Sequence, residues 1–405
     1  MKRDDMTQTA DIPEINATPE RFTRVRLTWV AYWMLGYFAF LEAVLGPLMP
    51  FIQSDLRLSY LLASLHFSAF ALGVVVVGAT ADQLTRWWGR RISFWGGGLG
   101  MAVGALLVAL SPIVVGTIAG AFLMGLLGGL LLITIQAVLA DHYGRWTPVA
   151  LTEANVVASA FAFLAPVLVG LVTGAALSWR LSLLPVIAFF LIVGLLYRRE
   201  PFPSRPTTIE ETAASGRTRL PLAYWAFWLL IVLETGAEWC VAYWGASFLV
   251  AASTLSMADA AAAMGAFFLA MLLARFAGSR LTRVMSGAIV LAGSLVVALI
   301  GFPLFWLAPL PFLRLVGLFV VGLGLANVYP LGVALATRVV PGEADRASAR
   351  TAVAGGLSAL VAPFILGALS DHIGIVAAFG VALPMLLLAL LFAVAAGRAH
   401  ARLAA

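Results

Sequence analysis

The sequence predicts an all-α membrane protein: twelve transmembrane helices in two six-helix bundles related by a pseudo-twofold axis. Three observations predict it. Of the 405 residues, 62% are hydrophobic and 11% charged, whereas soluble globular chains carry about 25% charged residues. About a dozen apolar stretches run from Leu27 to Val394, each near the roughly 20 residues that a helix needs to cross a bilayer. Landmarks in the first half recur 197 residues later in the second. Lipid cannot satisfy backbone polar groups, so the stretches must be helices or a closed barrel. Runs such as Ile113–Ala140 show no alternation of period two, which leaves helices.

Taken in order, the apolar stretches predict helices over 27–52, 59–83, 91–110, 112–140, 148–176 and 180–198. A second set follows over 221–250, 258–280, 285–306, 311–338, 349–371 and 375–396. The only long polar interruption falls between the sets. Its Arg/Pro start and Thr/Glu/Ser/Gly-rich continuation have the composition of a solvated linker. The expected organisation is therefore a tail over 1–26, a bundle over 27–198, a linker over 199–220, a bundle over 221–396 and a tail over 397–405.

Charge orients the chain. With these spans, all but three of the 25 Lys and Arg fall in the tails, the linker and the loops on their side; Arg57, Arg180 and Arg314 fall on the other. The positive-inside rule then puts both termini and the linker in the cytoplasm of a cell (inner) membrane. It also explains the net charge of +6 without nucleic acid. The first 26 residues lack a cleavable signal pattern. Lone Cys240 provides neither a disulfide framework nor a thiol pair.

The repeat carries topology. Ala81–Arg86 (ADQLTR) matches Gly278–Arg283 (GSRLTR), and Pro166–Gly170 (PVLVG) matches Pro363–Gly367 (PFILG), both at the 197 spacing. Glu42 and Glu238 come within one residue of it. Like-oriented duplicated halves imply an axis along the membrane normal and a site between them.

On these residues the chain resembles the major facilitator superfamily over essentially its whole membrane region. Gly78-x-x-x-Asp82, Arg86 and Gly89-Arg90-Arg91 are similar to that family's loop between helices two and three. Glu234-Thr-Gly-Ala-Glu238-Trp in helix seven and Gly322-Leu-Gly324-Leu-Ala-Asn327-Val-Tyr329-Pro330 in helix ten are similar to its fucose permease-like branch. The resemblance implies alternating-access transport. It also implies a cytoplasmic gate in which Asp82, Arg86, Arg90 and Arg91 latch one conformation; Asp141 and Arg145 after helix four and Glu153 opening helix five are placed to join it.

Ionisable groups at membrane depth are costly and point to function. Glu42 lies about 22 Å into helix one, near mid-bilayer. Glu234 and Glu238 reach similar depth in helix seven and share a face, being four apart. In low dielectric a carboxyl favours its neutral form, and close carboxyls reinforce this, so such groups can load and release protons as their exposure alternates. Glu42 and Glu238 are the expected proton-coupling residues, with Glu234 as an accessory. Permanently protonated glutamates bonded to a neighbouring helix would have the same sequence. Trp33, Tyr37, Gln136, Asn155, Trp239, Tyr243, Asn327 and Tyr329 are candidate substrate contacts, since aromatic faces with amides suit a sugar-like or amphipathic solute. Interfacial belts and interhelical hydrogen bonds are the structural alternative.

Gly96-Gly97-Gly98-Leu99-Gly100 has no preceding strand, so it reads as close helix packing rather than a dinucleotide loop. No nucleotide-binding loop is present, and the four histidines show no metal-ligand spacing. An enzyme is not expected, nor a metal or cofactor. The expected protein is a monomeric secondary transporter whose partners are a small-molecule substrate, protons and the lipid bilayer. A proton-driven exporter of drugs or amphipathic metabolites is the alternative.

Overall fold

A computed structural model describes residues 22–203, 220–340 and 342–404. Most of the N-terminal tail and of the linker therefore lies outside the described residues, including Lys2, Arg3, Arg21, Arg205, Arg217 and Arg219. The described chain contains no strand. Its helices are α1 Arg26–Ala43, α2 Leu45–Leu56, α3 Tyr60–Leu110, α4 Val114–Tyr143, α5 Thr147–Gly174, α6 Leu184–Tyr197, α7 Leu222–Ala252, α8 Met257–Leu281, α9 Gly287–Leu307, α10 Pro311–Leu325, α11 Val328–Arg338, α12 Ala344–Ile373, α13 Ile375–Ala378 and α14 Ala382–Ala404.

Ten segments among the described residues are long and apolar enough to cross a membrane. Two of them, Tyr60–Leu110 and Val114–Gly174, run 51 and 61 residues, far beyond the need of one crossing. The first turns back at Gly89, whose φ of 76° and ψ of 159° are not helical. Both arms of α3 lie beside the same stretch of α4: Gly73 abuts Phe122 and Gly125, and Gly104 abuts Gly120 and Met124. The second is interrupted by the short 3-10 turn Gly144–Trp146. The loop expected over 84–90 is thus helical up to Trp88, with one glycine making the reversal. Only a residue at ease with positive φ turns the chain so abruptly.

Two other expected helices are broken. Pro47 cannot donate to the Ala43 carbonyl, and α1 gives way to α2 at Val44. Pro330 cannot donate to the Ala326 carbonyl, and α10 stops before Asn327. For orientation, the end of the bundle carrying Gly89, Arg198 and Leu220 is called the linker end, and the opposite end, with Arg57 and Ile373, the far end.

Close packing repeats with the sequence spacing. A Cβ added at Gly125 would strike the Phe70 carbonyl, and one at Gly322 the Phe267 carbonyl. Gly104 meets Met124 as Gly301 meets Val321, and Gly120 meets Val108 as Gly317 meets Phe305. Every partner pair is separated by the same 197 residues. Ser59 and Ser256, also 197 apart, N-cap α3 and α8 through the amides of Leu62 and Asp259. Across the halves, Gly170 of α5 lies on Ala258 and Ala262 of α8, and Gly367 of α12 lies on Tyr60 and Ser64 of α3. Small residues let helix backbones approach where lipid gives no hydrophobic drive.

The outer surface is apolar: Ile300 and Leu391 are each more than 60% exposed in mid-helix, as suits acyl chains and not water. Some of the polar groups inside bond to neighbouring helices. His66 joins α3 to α4 through Thr117 at 2.8 Å. Arg314 closes the carbonyl end of α9 through Phe305 and Trp306 at 3.2 and 2.6 Å.

Candidate functional site

A cavity of two lobes, about 320 and 430 Å3, lies between the halves. Glu42, Leu132, Gln136, Glu238, Trp239 and Arg275 form walls common to both. The first lobe adds Asn155, Ser159, Phe38 and Phe268. The second adds Thr235, Tyr243, Tyr329 and Phe70. Glu42 and Glu238 are half-buried, while Gln136, Asn155 and Arg275 are exposed to the cavity. The broken helices place these groups: Glu42 stands beside the α1–α2 bend, and Tyr329 follows the α10–α11 break.

Glu234 lies one turn before Glu238 and is fully buried. Thr235 Oγ1 donates to its Oε2 at 3.2 Å, and Oε1 has no hydrogen-bond partner. It sits behind the cavity wall rather than on it. Arg275 extends its Nη1 to Ser159 Oγ at 2.7 Å, joining α8 to α5. Asn327 donates through Nδ2 to the Ala274 carbonyl at 2.9 Å, so the α10–α11 break clamps α8 next to Arg275.

The far end is closed. Phe67 of the first half stacks on Tyr243 of the second with centroids 4.3 Å apart, and Tyr243 stacks on Trp239 at 4.7 Å. Tyr60 packs against Trp244, and Ser247 donates to Gln53 Oε1 at 3.2 Å. Asp371 of α12 caps α3 across the halves: its Oδ1 and Oδ2 accept from the amides of Tyr60 and Leu61 at 2.8 and 2.9 Å. A carboxylate there offsets both unsatisfied amides and the positive helix end. Asp371→Ala is expected to favour opening of the far end about ten-fold or more, from the loss of two charge-assisted hydrogen bonds. Spin labels at Ser54 and Ile373 should then show a longer distance population; an unchanged distribution would refute the latch. Cys240 is buried and leaves the labelling clean.

Towards the linker end the cavity continues along Val74, Ala352 and Gly355. Asp82, Arg86 and Arg91 are exposed there. Arg90 pairs with Asp141, and Arg91 donates to the Arg198 carbonyl. Glu153 instead meets Arg24 at 2.5 Å and accepts from Tyr32 at 3.1 Å. These contacts stay within the first half and its flanking segments.

The structure thus brings Glu42, Glu238, Gln136, Asn155, Trp239, Tyr243 and Tyr329 to one cavity. Three expected contacts lie elsewhere. Trp33 packs between Phe161 and Phe189, and Tyr37 donates to the Gly98 carbonyl at 3.1 Å while stacking on Phe190. At 100° per residue they lie about 180° and 140° around the helix from Glu42, facing the interior of the first half. Asn327 holds backbone rather than lining the cavity. Arg275, assigned from sequence to the linker-end loop, faces the cavity instead. Its position three residues before the repeated Gly278–Arg283 motif, inside an apolar helix, was the available signal. Ser159, Phe38 and Phe268 carried none.

Duplicated helical units around a polar cavity closed at one end define a membrane transport protein that works by alternating access. The Major Facilitator Superfamily model matches residues 28–255 and again 227–403, and the chain belongs to this superfamily of transporters, not enzymes. A bacterial homologue of the human lysosomal transporter Spinster, inward-facing and occupied, aligns with a TM-score of 0.75 and 12% identity over 92% of this chain and 96% of its own. The nucleoside transporter NupG (a mutant form) aligns at 0.71 and 17% over 92% and 99%. The E. coli fucose:proton symporter FucP aligns at 0.59 and 18% over 92% and 99%. No curated protein matches the chain.

Proposed function

We propose that the chain is a secondary active transporter that moves a small organic solute, sugar-like or related, with protons as the coupling ion. The observation that carries this reading is the cavity between repeated halves with Glu42 and Glu238 in its walls. Tyr60–Leu110 and Val114–Gly174 each cross the bilayer twice, giving twelve spans in two bundles, 27–198 and 221–396. The packing pairs at constant spacing and the reciprocal Gly170 and Gly367 contacts support a pseudo-twofold relation. Charge bias puts the linker end in the cytoplasm of the inner membrane, so the cavity faces inward. Asp82, Arg86, Arg90 and Arg91 serve as its cytoplasmic gate.

Glu42 and Glu238 exchange protons, and buried Glu234 assists Glu238. Trp239, Tyr243 and Tyr329 offer stacking faces to a ring, and Gln136 and Asn155 offer directed hydrogen bonds. Fucose and nucleosides, named for two of the structural relatives, both carry a hydroxylated sugar ring. The apolar wall of Leu35, Phe38, Phe268 and Met271 in the first lobe favours a second reading, proton-driven export of amphipathic metabolites. Purified protein in sealed vesicles decides between them. Solute should accumulate on the alkaline side for symport and on the acid side for exchange. Equal fluxes with and without a pH gradient would reject proton coupling.

A further inference from the structure

Arg275 is a cation on the cavity wall that proton coupling leaves unused. Among the described residues its one hydrogen bond is to Ser159, and it forms no ion pair within 4 Å with Glu42 or Glu238. Both carboxyls nonetheless line the same two lobes as the guanidinium. A snorkelling arginine this near a helix end would turn to the water, about 9 Å away along α8. Arg275 instead reaches across the halves to α5. Its support is fixed: Ser159 spends its own proton on the Asn155 carbonyl at 2.8 Å and so presents a lone pair to the guanidinium. On the other side Asn327 anchors the adjacent Ala274 carbonyl, and Gly278 leaves room for that amide. A guanidinium has five donors, so most remain for the cavity, arranged as a fork that matches a carboxylate.

We propose that Arg275 is an anion subsite, and that the solute is a sugar-like acid, a polyhydroxy carboxylate, rather than a neutral sugar. This rests on the transporter reading above. The carboxylate docks on the Arg275 fork while the hydroxylated body lies against Trp239, Tyr329 and Gln136. The groups facing it are Glu42 from α1, Glu238 from α7 with Glu234 behind it, and Tyr329 from α11. An anion placed beside ionised Glu42 and Glu238 is repelled, and beside their protonated forms it is not. Solute and proton therefore bind together, and each raises the affinity for the other by the same factor.

Thermal shifts and titrations on the purified full chain test this with matched pairs: D-glucuronate with D-glucose, D-galactonate with D-galactose, L-fuconate with L-fucose. At least one acid should stabilise the protein while its neutral partner does not, more strongly at about pH 6 than at about pH 8. Arg275→Gln should weaken that acid about ten-fold or more. Arg275→Lys, which keeps the charge and loses the fork, should fall between, and it serves if the glutamine variant folds poorly. Equal shifts by neutral sugars, no shift by any acid, or undiminished acid binding in both variants would overturn the subsite. Stabilisation by neutral sugars alone would leave the transporter reading intact. Vesicles accumulating neither class under a gradient would end that reading instead.

Discussion

Glu42→Gln is expected to abolish proton-driven accumulation while solute exchange continues. Glutamine keeps the size and hydrogen-bonding reach of the side chain but cannot carry a proton. Glu42 belongs to the walls of both lobes and stands two residues before the Val44 bend, the position from which the proposed coupling would reach solute and helix alike. One co-transported proton across a one-unit pH difference is worth about 1.4 kcal/mol, a ten-fold accumulation. The variant should lose that ten-fold ratio per pH unit and equilibrate the solute, with counterflow retained within a few-fold. Glu234→Gln, outside the cavity wall, should keep part of the accumulation. Accumulation by Glu42→Gln equal to that of the unaltered protein would remove the residue from the coupling scheme.

Gly125→Val and Gly322→Val should each cost about 3 kcal/mol or more, seen as large drops in folded yield and melting temperature. At both positions a Cβ would strike a backbone carbonyl, of Phe70 or of Phe267. Backbone cannot rotate aside as a side chain can, so α3 and α4, or α8 and α10, must separate and lose contacts along their length. The two effects should be similar because the positions are equivalent in the repeat. Gly96→Ala is the control: nothing lies within 4 Å of an added Cβ there, and alanine in a helix gains up to about 1 kcal/mol over glycine. Melting temperatures of the three variants in one detergent provide the comparison. Unimpaired Gly125→Val would show that this contact does not hold the first half together.

The candidate site was partly legible in the sequence. Acids in apolar helices announce themselves because lipid makes them expensive, so Glu42, Glu234 and Glu238 were visible at once. Their arrangement was not. Glu234 and Glu238 share a helix face, yet only Glu238 reaches the cavity wall, because the neighbouring helices cover one turn and leave the next open. Trp33 and Tyr37 precede Glu42 closely in the chain and face away from it in space. Charge counting makes Arg275 a loop cation, because it assigns a residue near a helix end to the nearest water. Arg275 escapes that assignment only through Ser159, a partner 116 positions away in sequence. The cap that Asp371 places on α3 was likewise hidden, since its partners are backbone amides of the other half.

What the sequence settled by itself was the solvent and the plan: apolar helices for lipid, repeated at constant spacing, with acids set inside them. Those follow from local rules, the length of an apolar run and the price of charge in hydrocarbon, which each segment obeys alone. Which side chains meet was decided only by the assembled structure. A helix presents every direction within four residues, and the direction that faces the cavity is set by how its neighbours pack. The far-end closure and the Arg275–Ser159 contact are products of that packing, whereas the breaks at Val44 and Asn327 follow from Pro47 and Pro330.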